Sequence, residues 1–202
     1  MNIKIKNSKK ILNQIYNDAF ENHESLLKQT QISIKKSLEK ATDLISKSLK
    51  SGGTIFWCGN GGSAADSQHI AAEFVGRFNK DRKPLRSIAL TTDTSILTCI
   101  SNDYSYEEIF SRQLEALGRR GDILVAISTS GNSENIKKVL VMAKKMKIKS
   151  ICLLGKNGGK CKNFADITLI IPSQITARIQ EMHIFIEHLL CELVEQKLGL
   201  NR

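Results

Sequence analysis

Four hydroxyl side chains fall within six residues in Ser128-Thr129-Ser130-Gly131-Asn132-Ser133. An apolar run precedes this loop and a helical pattern opens near Ser133. Hydroxyl donors beside the free N–H groups of a helix start make a site for a phosphate dianion. The same residue types also favour a plain N-cap and turn, but their hydroxyl density exceeds what a cap requires. A second loop, Gly59-Asn60-Gly61-Gly62-Ser63, lacks both the Lys-Ser or Lys-Thr ending of a P-loop and the GxGxxG spacing of a dinucleotide site. It argues against an ATPase or a dehydrogenase, while its glycines still let backbone approach a polar ligand. In Gly155-Lys156-Asn157-Gly158-Gly159-Lys160 an ordinary turn and a ligand contact are equally compatible with the residues.

His69 and Glu73 stand four residues apart on the helix expected after the glycine loop, so they share a face. Such a pair is commonly just a local helix contact. Near the C-terminus, Gln180 and His188 are eight residues apart, about two turns, and share a broad face. His183, three after Gln180, belongs either to that face or just behind it. Two imidazoles, a carboxylate and an amide oxygen would suit a divalent ion, zinc first. Spacing alone equally allows two unrelated local pairs.

These groups need elements to position them. Thr54–Cys58, Ser87–Thr91, Ile123–Ser128, Ser150–Leu154 and Ile167–Ile171 are short, nearly continuous apolar runs, as strands buried on both faces of a parallel sheet require. Helices are expected at 63–78, 94–117 with a break near Asn102–Asp103, 133–147 and 174–198, giving an α/β three-layer sandwich around a five-stranded parallel sheet. Apolar positions across 8–50 have helical spacing and predict an N-terminal extension of two helices meeting near Asn22–His23, ended by Ser51-Gly52-Gly53. In such sheets ligands bind beyond the carboxyl ends of the strands, where all three loops lie.

At 202 residues and 41% hydrophobic content, one domain over 1–202 is expected, with helices in 1–50 and an α/β core in 51–202. No apolar run approaches a membrane span, and the Lys-rich start from Met1 to Lys10 has no signal-peptide core, so a cytoplasmic protein is expected. Five cysteines without a CxxC spacing read as reduced, mostly buried thiols. The net charge of +10 comes half from 1–50, with ten Lys against five acids, while six more Lys lie between Lys137 and Lys149. Both stretches read as solvated helix faces, and no RNA motif or zinc-finger spacing accompanies them, so no nucleic-acid partner is expected.

Cys58-Gly-Asn-Gly-Gly-Ser63, Ile127-Ser-Thr-Ser-Gly-Asn-Ser133, Leu154-Gly-Lys-Asn-Gly-Gly-Lys160 and Arg178-Ile-Gln-Glu-Met-His183 resemble, in order and spacing, the phosphoheptose isomerases of the sugar isomerase (SIS) domain superfamily. The resemblance covers nearly the whole chain and implies a flavodoxin-like fold. It implies one zinc per subunit on His69, Glu73, Gln180 and His188, and an acid/base pair of Glu73 and His188. It further implies sugar-phosphate contacts at Asn60, Gly61, Gly62, Ser63, Glu73, Asn102, Asp103, Ser128, Thr129, Ser130, Ser133 and Gln180, in a homotetramer with sites between subunits. The implied reaction converts sedoheptulose 7-phosphate to a manno-heptose 7-phosphate through an enediolate, for bacterial surface polysaccharide. A non-catalytic branch that serves as an adaptor for a replication initiator shares the loops, but lacks the counterparts of Glu73 and His188. A sister sugar-phosphate isomerase would share every loop.

Overall fold

The computed structural model describes the backbone of residues 2–200 and the side chains of residues 9–200; Met1, Asn201 and Arg202, the ends of the expected 1–202 unit, lie outside the described residues. The five apolar runs become strands β1 (Ile55–Gly59), β2 (Ser87–Ala89), β3 (Ile123–Ser128), β4 (Lys149–Gly155) and β5 (Ile167–Ile171). They form one sheet in the order β2-β1-β3-β4-β5, with every neighbouring pair parallel. The helices are α1 (Asn2–Lys50), α2 (Gly62–Val75), α3 (Thr94–Asp103), α4 (Ser111–Leu117), α5 (Glu134–Lys145) and α6 (Thr176–Leu198).

The runs are continuous because each face of the sheet has its own core. Ile55, Trp57, Val125, Ile127 and Leu153 join α1, α2 and α6 on one side. Their neighbours Phe56, Cys58, Leu124, Ala126 and Leu154 join α3, α4 and α5 on the other. Side chains alternate with the period of a strand, yet both sets are apolar. At the edge, β2 stops at Ala89, earlier than the expected run, because Thr91 Oγ1 turns to donate to the Ala64 carbonyl (3.3 Å) and Thr92 Oγ1 to that of Ala89 (3.2 Å).

The N-terminal extension departs from expectation: it is one helix of 49 residues, with no junction at Asn22–His23. Neither Gly nor Pro occurs before Gly52, and Asn or His costs a helix well under about 1 kcal/mol relative to Ala. Contacts to α6 straddle the expected break. His23 Nδ1 lies 2.9 Å from Glu181 Oε2, and Arg178 donates to the Ala19 carbonyl at 3.2 Å. The helix ends where expected, with Gly52 at φ +81° and the Gly53 N–H bonded to the Ser48 carbonyl at 2.9 Å.

Helix α2 ends at Gly76, and a side chain from the following loop completes it. Arg82 donates to the carbonyls of Glu73 and Phe74 (both 2.8 Å) and to Glu195 Oε1 on α6 (2.6 Å). The Phe78 N–H also donates to Glu195, at 3.2 Å. Both charged side chains are almost fully buried, 3% and 1% exposed. Removing one partner of such a pair strands the other charge, at a cost of about 3–5 kcal/mol. Glu195→Ala is therefore expected to lower unfolding stability by about that amount in urea titrations. A loss below about 1 kcal/mol would show that the pair does not hold α2 to α6.

Candidate active site

The strand order places β1 and β3 side by side while their following helices, α2 and α5, pack on opposite faces. The loops after these two strands therefore splay apart, leaving a crevice at the carboxyl end of the sheet. Both loops singled out by their chemistry border it.

In the hydroxyl loop, Ser128 Oγ accepts from the Gly131 N–H (3.1 Å) and lies 3.3 Å from Ser133 Oγ. Ser133 occupies the N-cap position of α5 but makes no side-chain capping bond. The cap explanation of this serine therefore fails, and the first N–H groups of α5 are left without its oxygen. Thr129 and Ser130 are half-buried. Gly131 has φ +66°, and a Cβ there would fall 2.2 Å from the Gly158 carbonyl oxygen. The reverse holds at Gly159, whose Cβ would meet the Gly131 oxygen at 2.4 Å. The Gly155–Lys160 loop is thus a buttress behind the serines, tied on by Lys160 N–H to Asn132 Oδ1 (3.1 Å) and Cys161 N–H to the Gly131 carbonyl (2.9 Å).

On the glycine loop, Asn60 and Asn135 exchange reciprocal amide bonds of 2.9 and 2.8 Å, and Tyr106 OH donates to Asn60 Oδ1 at 2.9 Å. This fixes the Asn60 amide and joins the β1 loop to the start of α5. Neither Asn135 nor Tyr106 was expected from sequence. The only signal for Asn135 is a polar residue on the buried side of an amphipathic helix. Gly61 and Gly62 are exposed and Ser63 is buried beneath them. Asn102 and Asp103 close α3 and are bonded to one another at 2.8 Å, both exposed.

His69, Glu73 and His188 converge. His69 Nε2 is 3.2 Å from Glu73 Oε1 and 3.4 Å from His188 Nε2, and one ligand atom from each of the three lies within 4.8 Å of the others. Four donors about 2.0–2.1 Å from a tetrahedral zinc stand about 3.4 Å apart, so the spacing of these nitrogens suits such an ion. Phe78 stacks on the His188 ring at 5.6 Å and fixes its orientation. Partial burial, then the neighbouring His69, holds the His188 pKa below its ordinary value, against the opposing pull of Glu73. That favours the neutral, ligating form.

Gln180 stands beside the start of α2. Its amide nitrogen lies 2.3 Å from where a Cβ on Gly62 would be, at the start of α2. Gly62 precedes His69 by seven residues, about 10 Å of helix axis. The eight residues between Gln180 and His188 amount to about 12 Å along α6. His183 stands elsewhere: it is buried, with Nε2 donating to the Leu154 carbonyl at 3.2 Å and Nδ1 unpartnered. Burial pushes its pKa down to about 4. Beside His188, Glu187 is fully buried with neither oxygen partnered, and burial, then Asp66, pushes its pKa well up. No sequence pattern marks such an acid on an otherwise apolar face.

The sequence matches the SIS domain family over residues 19–155, a stretch holding both loops, His69 and Glu73 but not α6. The phosphoheptose isomerase of Clostridium acetobutylicum is 51% identical over 180 residues, which is 89% of this chain and 91% of that protein. That of Helicobacter pylori strain P12 is 47% identical over 186 residues, 92% and 97% of the two chains. The solved phosphoheptose isomerase of Neisseria gonorrhoeae superposes with a TM-score of 0.87 at 40% identity, covering 92% of this chain and 99% of that one. That of Francisella tularensis gives 0.88 at 37% identity, covering 92% and 98%.

The buried His183 has a consequence for stability. Well above pH 6.5 its ring is neutral both folded and unfolded and contributes no slope. As pH falls from there toward about 4, the unfolded chain takes up a proton that the folded chain refuses, so stability is lost. Between pH 7.5 and pH 5 this amounts to about 2 kcal/mol. A His183→Gln variant is expected to lose that part of the slope in paired urea titrations; an unchanged slope would contradict it.

Proposed function

Because the chain belongs to the SIS domain family and, within it, to the phosphoheptose isomerases, we propose that it interconverts sedoheptulose 7-phosphate and D-glycero-D-manno-heptose 7-phosphate, supplying heptose for bacterial surface polysaccharide. The observation that carries this reading is the convergence of two imidazoles and a carboxylate from α2 and α6. In the same chain, a hydroxyl loop and an uncapped helix start stand at the carboxyl end of the sheet.

Ser128, Thr129, Ser130 and Ser133, with the α5 N–H groups, hold the phosphate. Binding energy gained there, remote from the reacting carbons, positions the other end of the sugar. Asn60, Gly61, Gly62, Ser63, Asn102, Asp103 and Gln180 hold the hydroxyls between. Glu73 Oε1 faces His69, which leaves Oε2 to take the proton from C1 of the ketose and return it to C2. His188 moves the companion proton between the two oxygens. A zinc ion held by His69, Glu73 and His188 would supply positive charge where the oxyanion grows.

The fourth ligand is Gln180 of a neighbouring copy, since the amide of the same chain stands at Gly62. This fits a homotetramer with sites between subunits. The exposed apolar side chains of α1, Ile11, Leu12, Ile15, Tyr16 and Phe20, each about 60% exposed, are the surface such an assembly would cover.

Two experiments test the reading. Glu73→Gln is expected to fold, bind substrate and lose about 10²–10⁴ in turnover, and chelation of the wild-type enzyme to abolish activity that added zinc restores. Normal turnover in either case removes the assignment, and no turnover at all, with zinc present, favours the adaptor branch. For the shared site, His69→Ala and Gln180→Ala, each inactive alone, are expected to regain activity when co-expressed, because some mixed sites then hold both native residues. Without recovery, Gln180 acts within its own chain.

A further inference from the structure

At the opposite pole of the sheet, where β3 and β4 begin, a cavity of about 680 Å³ opens between the ends of α1 and α5. Five cations rim it: Lys47, Arg120, Lys144, Lys147 and Lys149. Two carboxylates, Asp122 and Asp166, also line it, but both are already engaged. Asp122 accepts from the N–H groups of Thr54 (2.8 Å) and Arg119 (2.7 Å), and Asp166 from that of Ser150 (2.9 Å) and from Lys149 (2.5 Å). Among the described residues, Lys47, Arg120, Lys144 and Lys147 form no ion pair.

A bland role exists for some of this charge, since lysines in a last helical turn complement the negative end of the helix dipole. Lys47 and Lys144 lie in such turns; Arg120, Lys147 and Lys149 do not. Each helix end carries about half a negative charge. Five cations against two carboxylates and two helix ends leave about two positive charges uncompensated. The lining also has apolar groups, the half-buried Leu44 and Phe164 above the buried Ile148.

We propose that this cavity binds a nucleotide of the nucleoside diphosphate class, the diphosphate on the Lys/Arg rim and the base on Leu44 and Phe164. Its volume lies within the range of small-molecule sites. A concave rim of cations beside apolar side chains suits a compact anion with a flat apolar part. A duplex nucleic acid would need an extended stripe instead.

The test is calorimetric titration of the full-length protein with ADP, inorganic pyrophosphate and adenosine. ADP is expected to bind saturably at one per chain, more tightly than pyrophosphate or adenosine. A Lys47→Glu/Lys144→Glu variant is expected to weaken ADP at least about tenfold, with isomerase turnover unchanged. A milder Lys47→Gln/Lys144→Gln pair serves if the first does not fold, and should weaken ADP by a smaller factor. Ser130→Ala, in the substrate's phosphate loop, is expected to leave ADP affinity unchanged. The proposal falls if ADP does not bind at millimolar concentration, or if pyrophosphate binds as tightly. It also falls if ADP affinity is lost in Ser130→Ala and kept in the lysine variants, which would place the nucleotide at the catalytic crevice.

Discussion

One guanidinium group bonds both to the last carbonyls of α2 and to Glu195 on α6, and through it the helices carrying His69, Glu73 and His188 keep a single register. Burying two charges costs several kcal/mol per ion, so the contact is not there for raw stability. The Arg82 donors meet a carboxylate and four backbone carbonyls, those of Glu73, Phe74, Gly76 and Lys83, and the Phe78 N–H takes a further share of the same carboxylate. A slip of α6 by one residue would break both bonds to Glu195 together. Phe78, held on that loop, then stacks on the His188 ring. The position of the His188 imidazole is therefore set by an ion pair elsewhere in the fold.

A second coupling works across the crevice. The reciprocal amide pair of Asn60 and Asn135 joins the loop after β1 to the helix after β3. These two segments diverge from adjacent strands to opposite faces of the sheet. Without a cross-tie the crevice would be free to widen; with it, the start of α5 and the glycine loop move as one body. Tyr106 adds a third point from the short 3-10 turn after α3, so three separate segments meet at one amide.

Much of this was readable from residue order. Continuous apolar runs located all five strands, because burial on both faces leaves no polar alternation to confuse with a helix. The break near Asn102–Asp103 was marked by polar residues between apolar stretches. The single long α1 was not readable, since Asn22 and His23 resemble a junction until Arg178 and Glu181 are seen beside them. The Gln180 and His188 pairing shows a limit of another kind: a helical wheel gives angle and ignores height, and the two lie about two turns apart along α6. Arg82 and Glu195 are 113 residues apart, and no local pattern in either segment points to the other. His69 and His188 became a pair only through resemblance, because their own neighbourhoods offer each a local explanation.

The back-to-back packing of Gly131 against Gly158 and Gly159 has a consequence for redesign. Each backbone occupies the space a methyl group on the other would need, so neither loop accepts a side chain unless its counterpart is rebuilt in the same step. If the crevice holds the phosphate as proposed, changing which anion it accepts must therefore proceed through the hydroxyls at 128, 129, 130 and 133, upon a support that offers evolution and the engineer no single-residue path.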